Sequence, residues 1–118
     1  MTAGRGDRAA PPAAAGHWEI RFADGAAFKG WDALAAQAAE NTFRAWLVMR
    51  TDPPPQTQTN RHHRLKGALA HGRHRGATCE HWQIEVTGGG RIWYLADSDR
   101  RTCWITYAGN AHPRATDH

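Results

Sequence analysis

The chain has 118 residues, 41% of them hydrophobic, with 15 Lys and Arg against 11 Asp and Glu and a net charge of +4. This length predicts one domain with a single modest core. No apolar run approaches the roughly 20 residues of a membrane-spanning helix, and residues 1–16 lack the continuous apolar stretch of a signal peptide. The sequence therefore predicts a cytoplasmic protein with a disordered N-terminal tail at 1–16, one domain at 17–113 and a C-terminal tail at 114–118.

The positive charge is concentrated in one segment. Between Pro53 and Cys79 there is no acidic residue, whereas histidines and five cations alternate there. The cations are Arg61, Arg64, Lys66, Arg73 and Arg75. Removing these five of the 15 cations leaves 10 against 11 acidic residues. A basic patch on an otherwise balanced protein is typical of a surface that binds a polyanion, most often nucleic acid; a solvated basic loop without a ligand is the alternative.

The first predicted elements are a strand and two helices. Residues 17–23 alternate apolar and polar side chains, which is typical of a half-buried strand, and residues 24–25 break it. Apolar side chains then recur at helical spacing over 28–38, from Phe28 onward, in an alanine-rich stretch. Asn41 is the candidate N-cap of a second helix, which the three prolines at 53–55 end.

The rest of the chain predicts a basic connection followed by a small sheet. Segment 56–80 is polar and glycine-dotted, and it predicts a long connection with one short ordered element around 62–67 and a mobile part at 71–75. Three alternating strand patterns separated by short turns then follow, at 82–87, 91–96 and 102–107. The order predicts an α+β fold, in which an N-terminal strand and two helices pack on a small, mainly antiparallel sheet that the first strand joins.

Three stretches of the chain form an informative series. They are Phe-Lys-Gly-Trp-Asp-Ala-Leu at 28–34, Arg-Leu-Lys-Gly at 64–67, and Gly-Arg-Ile-Trp-Tyr-Leu-Ala-Asp at 90–97, followed by Ile105 and a terminal Gly-x-x-His-Pro. Together they resemble the RelE/ParE family of toxins from bacterial toxin–antitoxin pairs. The resemblance implies a small sheet packed on N-terminal helices and a toxin kept silent by a cognate antitoxin. Ribonuclease members of the family cleave mRNA in the ribosome without a metal, whereas the ParE branch inhibits DNA gyrase.

Metal-free RNA cleavage needs a base for the ribose 2′-OH, an acid for the departing 5′-oxygen and a cation for the phosphoryl oxygens. Arg91 is the candidate cation, because its planar guanidinium matches phosphate and it falls on the family's catalytic arginine position. His112 follows the last strand, where several family ribonucleases carry a histidine, and it is the candidate acid or base. His63 is a second candidate base, because it lies where one branch of the family carries a glutamate base. The alternatives are a solvent-facing ion pair for Arg91, a frayed tail for His112 and a basic loop for His63.

The basic segment also supplies the candidate RNA-binding residues. They are Arg61, Arg64, Lys66, Arg73 and Arg75, which we expect to contact phosphates of mRNA and ribosomal RNA. No cofactor and no metal is expected. The chain departs from the family at Gln83 and Glu85, where RelE-like members carry lysines, and a carboxylate facing the site would repel RNA.

Three other functions remain open from the sequence. A ParE-like toxin would inhibit gyrase by binding, without chemistry. A zinc module would use His71, His74, Cys79 and His81, although their spacing matches no standard zinc motif. An inactive relative of the family would have lost its site.

Overall fold

The computed structural model describes residues 4–9 and 12–110. Within these ranges the chain forms two α-helices and six strands, with a short 3-10 helical turn at Gly67–Leu69. In chain order the elements are β1 (Glu19–Phe22), α1 (Gly25–Gln37), α2 (Ala39–Arg50), β2 (His62–Arg64), β3 (His71–His74), β4 (Ala77–Glu85), β5 (Arg91–Asp97) and β6 (Thr102–Gly109). Both helices pack on one face of the sheet, so the fold is α+β.

The strands form one mixed sheet in the order β1-β6-β5-β4, and β2 and β3 both pair with the outer edge of β4. Strands β4, β5 and β6 form the predicted antiparallel meander. β1 lies parallel to β6, with Glu19 opposite Thr102 and Phe22 opposite Ile105. The predictions of an α+β fold, a mainly antiparallel sheet and a first strand inside that sheet are confirmed.

Helix α1 begins at Gly25, earlier than the predicted start at Phe28, because Asp24 caps it. The Asp24 carboxylate accepts a hydrogen bond from the backbone N–H of Ala27 at 2.8 Å. The residues that break β1 therefore also start the helix. Farther along, a Cβ added at Gly30 would overlap the main chain of β6. The absence of a side chain at Gly30 thus allows α1 to lie close against the sheet.

The predicted N-cap at Asn41 is wrong. Helix α2 begins at Ala39, directly after Ala38, whose backbone (φ −140°, ψ 64°) leaves the helical region and ends α1. The two helices therefore meet at a single residue, and Asn41 lies exposed inside the first turn of α2. The helix ends at Arg50, ahead of the prolines at 53–55, as predicted.

Segment 56–80 is not the long connection that its polarity predicts. β2 pairs with one half of the edge of β4 and β3 pairs with the other half. β4 itself begins at Ala77, well before the predicted start at Trp82. Between β2 and β3, the Leu65 side chain is only 2% exposed and anchors the segment to the domain. Edge strands that border solvent need few apolar side chains, so these strands leave little trace in the hydrophobic pattern.

The part at 71–75, predicted to be mobile, is also ordered. Arg75 and Gly76 form a two-residue hairpin turn between β3 and β4, with positive φ angles of 51° and 81°. Such turns match the twist of antiparallel strands. The His74 ring lies against the Trp104 ring, with centroids 4.5 Å apart. Packing on the sheet therefore orders this basic segment.

Residues 6–9 run beside the outer edge of β1. The backbone N–H groups of Gly6 and Ala9 donate to carbonyls of β1 at 2.8 and 2.7 Å. This part of the segment 1–16, which the composition predicts to be disordered, therefore covers an edge that would otherwise expose unpaired backbone groups.

The hydrophobic core lies between the helices and the sheet. Its largest fully buried apolar and aromatic side chains are Phe22, Leu34, Met49, Ile92, Tyr94 and Ile105. Cys103 is fully buried among them, as predicted. The margin of the core contains His62, whose Nε2 lies 2.6 Å from the Tyr94 hydroxyl oxygen. Burial, and then the charge of His63, lower the pKa of His62 to about 4.

Candidate nucleic-acid interface

The face of the sheet away from the helices carries several of the predicted site residues, and we call it the open face. Successive residues of a strand point to opposite faces, and Trp82, Ile84 and Tyr94 point into the core. The open face therefore receives the intervening residues of the paired strands, which include His63, His81, Gln83, Glu85, Arg91, Trp93 and Tyr107.

Three open-face side chains form a row across β2, β4 and β5. The indole N–H of Trp93 donates to Oε1 of Gln83 at 2.8 Å. Because that indole nitrogen only donates, it orients the Gln83 amide, whose nitrogen lies 3.4 Å from Nε2 of His63. Nδ1 of His63 lies 2.9 Å from the carbonyl oxygen of Arg64, which only accepts, so Nδ1 carries the proton. The row thus holds His63 in the tautomer whose Nε2 accepts a proton.

A β-bulge adds two residues of β6 to the open face. The register between β5 and β6 shifts just after Trp93. The Thr106 hydroxyl lies 2.7 Å from Nε2 of His81, and the Tyr107 ring lies 5.7 Å from the Trp93 ring. Nδ1 of His81 lies 3.0 Å from the Leu69 carbonyl oxygen. Burial lowers the pKa of His81, with that hydrogen bond opposing it, so His81 is neutral at neutral pH.

Arg91 lies on the same face as His63. It stands opposite Glu85 of β4 and Gly109 of β6, and one guanidinium nitrogen lies 3.3 Å from the Gly89 carbonyl oxygen. The Cα atoms of Arg91 and His63 lie two strands apart across the sheet and two residues apart along it. Together these offsets give a separation of roughly 12 Å. Because an arginine side chain covers about half of that distance, both side chains can reach one phosphodiester group between them.

Glu85, the carboxylate that departs from the family pattern, lies between two arginines. Arg91 stands opposite it on β5. On its other side, the Arg61 carbonyl oxygen accepts the N–H of Glu85 at 2.7 Å. Two arginines on the neighbouring strands and one carboxylate give this part of the sheet one more cation than anion. The repulsion of RNA that an isolated Glu85 would cause is reduced accordingly.

A pocket of about 580 Å³ lies at the other end of the open face, and we call it the basic pocket. Its polar walls are formed by Arg5, Arg73, His74, Arg75, Asp24 and Thr106. The guanidinium of Arg75 lies 5.1 Å from the centre of the Trp104 ring, on which His74 also packs. Trp104 is only 3% exposed, because Arg75 and His74 cover its ring. Through Thr106 the pocket adjoins His81 and the rest of the open face.

Arg64 lies on the other side of β2, opposite Trp82. One of its guanidinium nitrogens donates to the Ala70 carbonyl oxygen at 2.8 Å, and another lies 3.6 Å from a Glu80 carboxylate oxygen. Arg64 therefore ties the 3-10 turn to β4. Lys66 is exposed beside that turn.

Five of the predicted site residues lie in two parts of the open face, whereas Arg64 and Lys66 lie outside it. His63, Arg91 and Arg61 lie at one end, and Arg73 and Arg75 line the basic pocket at the other. His112 lies in 111–118, outside the described residues.

Sequence reasoning missed the roles of Gln83 and Arg5. Gln83 joins His63 to Trp93 through its amide group. Because Gln83 alternates with the apolar Ile84, the sequence alone could have placed its side chain on the face of the sheet away from the core. Arg5 reaches the basic pocket only because residues 6–9 pair with β1, and no pattern in the sequence indicates that pairing.

The zinc alternative is not supported by the arrangement of side chains. Among residues 4–9 and 12–110, no three His, Cys, Asp or Glu side chains are grouped in a way that could hold a metal ion. Within the proposed set of His71, His74, Cys79 and His81, the last has both ring nitrogens directed at Leu69 and Thr106.

No protein-family model matches the chain, and neither the curated proteins nor the solved structures give a significant match. Across the described part of the chain, no helix is both long and apolar enough to cross a membrane. Any assignment of function therefore rests on the residues of the open face.

Proposed function

We propose that this protein is the toxin of a bacterial toxin–antitoxin pair and that it cleaves mRNA at the ribosome, in the cytoplasm. The observation that carries the proposal is the open face, where a histidine of fixed tautomer, His63, shares a surface with Arg91. A base and a phosphate-binding cation are two of the three groups that metal-free RNA cleavage requires. The resemblance to RelE/ParE toxins supplies the substrate class.

In the proposed reaction, Nε2 of His63 takes the proton of a ribose 2′-OH, and the 2′-oxygen attacks the adjacent phosphorus. The bond from phosphorus to the 5′-oxygen breaks, which leaves a 2′,3′-cyclic phosphate and a 5′-hydroxyl end. His112, at the place where family ribonucleases carry a histidine, gives the departing 5′-oxygen its proton. Arg91 stabilises the negative charge on the non-bridging oxygens. His63 then returns its proton to solvent.

The tautomer of His63 favours this assignment of the base. An imidazole nitrogen that already carries a proton cannot accept another, so a base must present its unprotonated nitrogen to the substrate. The Arg64 carbonyl oxygen fixes the proton on Nδ1, at 2.9 Å, so Nε2 is the unprotonated nitrogen. The substrate hydroxyl would replace the Gln83 amide nitrogen, which lies 3.4 Å from Nε2. This support does not depend on the family resemblance.

The remaining cations fit the binding of RNA along the open face. Arg61 lies beside the His63 end, and the basic pocket lies at the other end. Lys66 is exposed nearby. We expect mRNA and ribosomal RNA to bind through phosphate contacts, and therefore to bind less tightly as salt rises.

A cognate antitoxin would account for the apolar surface of α2. Phe43, Leu47 and Val48 are 55%, 40% and 46% exposed, which is unusual for large apolar side chains grouped on one short helix. Beside them lies an apolar groove of about 250 Å³ between the helices, which Trp31 and Trp46 help to line. An antitoxin that covered this surface would remove it from water.

The test is induced expression in bacteria without an antitoxin, with growth measured and mRNA 5′ ends mapped. We expect growth arrest and new 5′ ends from the wild type. Arg91→Ala and His63→Ala should each lower cleavage by roughly 100-fold or more. Arg44→Ala is the matched control, because Arg44 lies exposed on α2 and forms a surface ion pair with Glu40.

Each other outcome has a definite meaning. Unchanged growth would refute the toxin proposal and favour an inactive relative. Growth arrest without new mRNA ends, kept in the Arg91→Ala and His63→Ala variants, would refute the nuclease and favour a ParE-like inhibitor of gyrase. Circular dichroism of each variant separates loss of chemistry from loss of folding.

A further inference from the structure

The basic pocket lies apart from the pair of residues assigned to the chemistry. Leu95, on its floor, is four residues along β5 from Arg91, a separation of roughly 13 Å. Cations in this pocket therefore cannot act on the phosphate that Arg91 and His63 share. They are placed to act on a different group of the same ligand or on a different ligand.

Charge in the pocket favours an anion. Arg5, Arg73 and Arg75 line it against the single carboxylate of Asp24. That carboxylate already accepts the N–H of Ala27 as the helix cap, at 2.8 Å. The net charge of these walls is therefore positive even with His74 neutral.

The pKa of His74 also reflects the positive charge of this pocket. Burial, and then the positive charges of Arg75, Arg5 and Arg100, lower the pKa of His74, and Asp24 opposes them. Its Nε2 is buried and has no hydrogen-bond partner within the described part of the chain. The charges that lower its pKa show that Arg5 and Arg75 lie close together around the pocket.

We propose that the basic pocket is a phosphate-binding subsite, which holds a phosphodiester of the RNA strand away from the bond that is cleaved. Guanidinium groups beside an apolar wall suit a phosphate with a neighbouring sugar better than a bare ion, because Ala23 and Leu95 provide apolar contact. That the ligand is RNA rests on the proposed function, whereas the subsite itself rests on the pocket.

The experiment measures binding of a short fluorescent 2′-O-methyl RNA, which cannot undergo attack by its own 2′-oxygen. The main variant is Arg75→Asn, because asparagine tolerates the positive φ of 51° at this turn position. We expect roughly fivefold to tenfold weaker binding and a salt dependence reduced by about one phosphate contact. Arg75→Lys should recover part of the affinity, and Arg5→Ala should resemble Arg75→Asn.

Arg44→Ala, on the opposite side of the domain, is the control and should bind as the wild type does. Equal affinity and equal salt dependence in Arg75→Asn, Arg5→Ala and Arg44→Ala would overturn the subsite. A parallel titration uses inorganic pyrophosphate. If pyrophosphate binds as tightly as the RNA and Arg75→Asn abolishes both, the ligand is a free phosphate compound and the RNA assignment is wrong.

The two proposals can fail separately. If expression arrests growth and cleaves mRNA, but pocket variants bind the RNA normally, the subsite alone is refuted. If expression has no effect on growth or mRNA, while Arg75→Asn still weakens RNA binding, the toxin function is refuted and the subsite stands.

Discussion

Acid should destabilise this protein through His62. The side chain is 9% exposed at the margin of the core, with Nε2 2.6 Å from the Tyr94 hydroxyl oxygen. Burial, and then the charge of His63, lower its pKa from 6.5 to about 4. Below about pH 6.5 His62 binds a proton in the unfolded chain but stays neutral in the folded protein. The free energy of unfolding therefore decreases as the pH falls from about 6.5 toward 4.

The size of the effect follows from the two pKa values of His62. Between about pH 7.5 and about pH 5, the unfolded state gains about 2 kcal/mol over the folded state from this residue alone. The full difference, reached below about pH 4, is about 3 kcal/mol. This is a substantial fraction of the stability of an ordinary small domain.

Urea unfolding followed by tryptophan fluorescence measures the effect, with His62→Gln as the comparison, since glutamine does not titrate. Burial also lowers the pKa of His74 and His81, but those residues are common to both proteins. We expect the wild type to lose about 2 kcal/mol more than His62→Gln between about pH 7.5 and about pH 5. Equal losses in the two proteins would refute the reasoning.

Two further predictions concern close contacts. Gly30→Ala should lower the free energy of unfolding by about 2 kcal/mol, because its Cβ would overlap the Ala108 carbonyl oxygen and the cost exceeds the gain in helix propensity. Gly88→Ala, with no atom within 4 Å of its Cβ, is the control, and equal urea midpoints for the two would contradict the contact. Gln83→Glu should move the proton of His63 toward Nε2, because the new carboxylate is a hydrogen-bond acceptor about twice as strong as a neutral one. ¹⁵N NMR of the imidazole ring measures the tautomer. An unchanged tautomer would count against the row of hydrogen bonds from Trp93 to His63.

Much of the fold could be predicted because its central strands alternate clearly. The pattern at 82–87 matches the second half of β4, and the apolar spacing from Phe28 lies within α1. The error at Asn41 arose because a cap was assigned from residue type, whereas the boundary between the helices is set by the backbone of Ala38. The short ordered element predicted around 62–67 contains β2, but its strand character and the whole of β3 were missed, because both depend on pairing with β4, a partner that local sequence does not indicate.

The candidate site was predictable residue by residue but not as an arrangement. Side-chain chemistry and the family resemblance together selected Arg91 and His63, and the open face holds both. The role of Gln83 depends on two cross-strand hydrogen bonds, so it required the register of three strands. Arg75 was predicted to bind RNA from a mobile loop, whereas a hairpin turn fixes it over Trp104.

The position of β6 in the sheet also affects the order in which parts of the domain fold. Its contact with β5 needs only a short turn, whereas its pairing with β1 joins positions 19 and 102. Closing so long a stretch of chain costs conformational entropy before any contact repays it. We therefore expect the β4–β5–β6 meander to form first, and β1 with both helices to dock on it afterwards. A substitution at the contact of Gly30 with β6 should slow that docking step and leave formation of the meander unchanged.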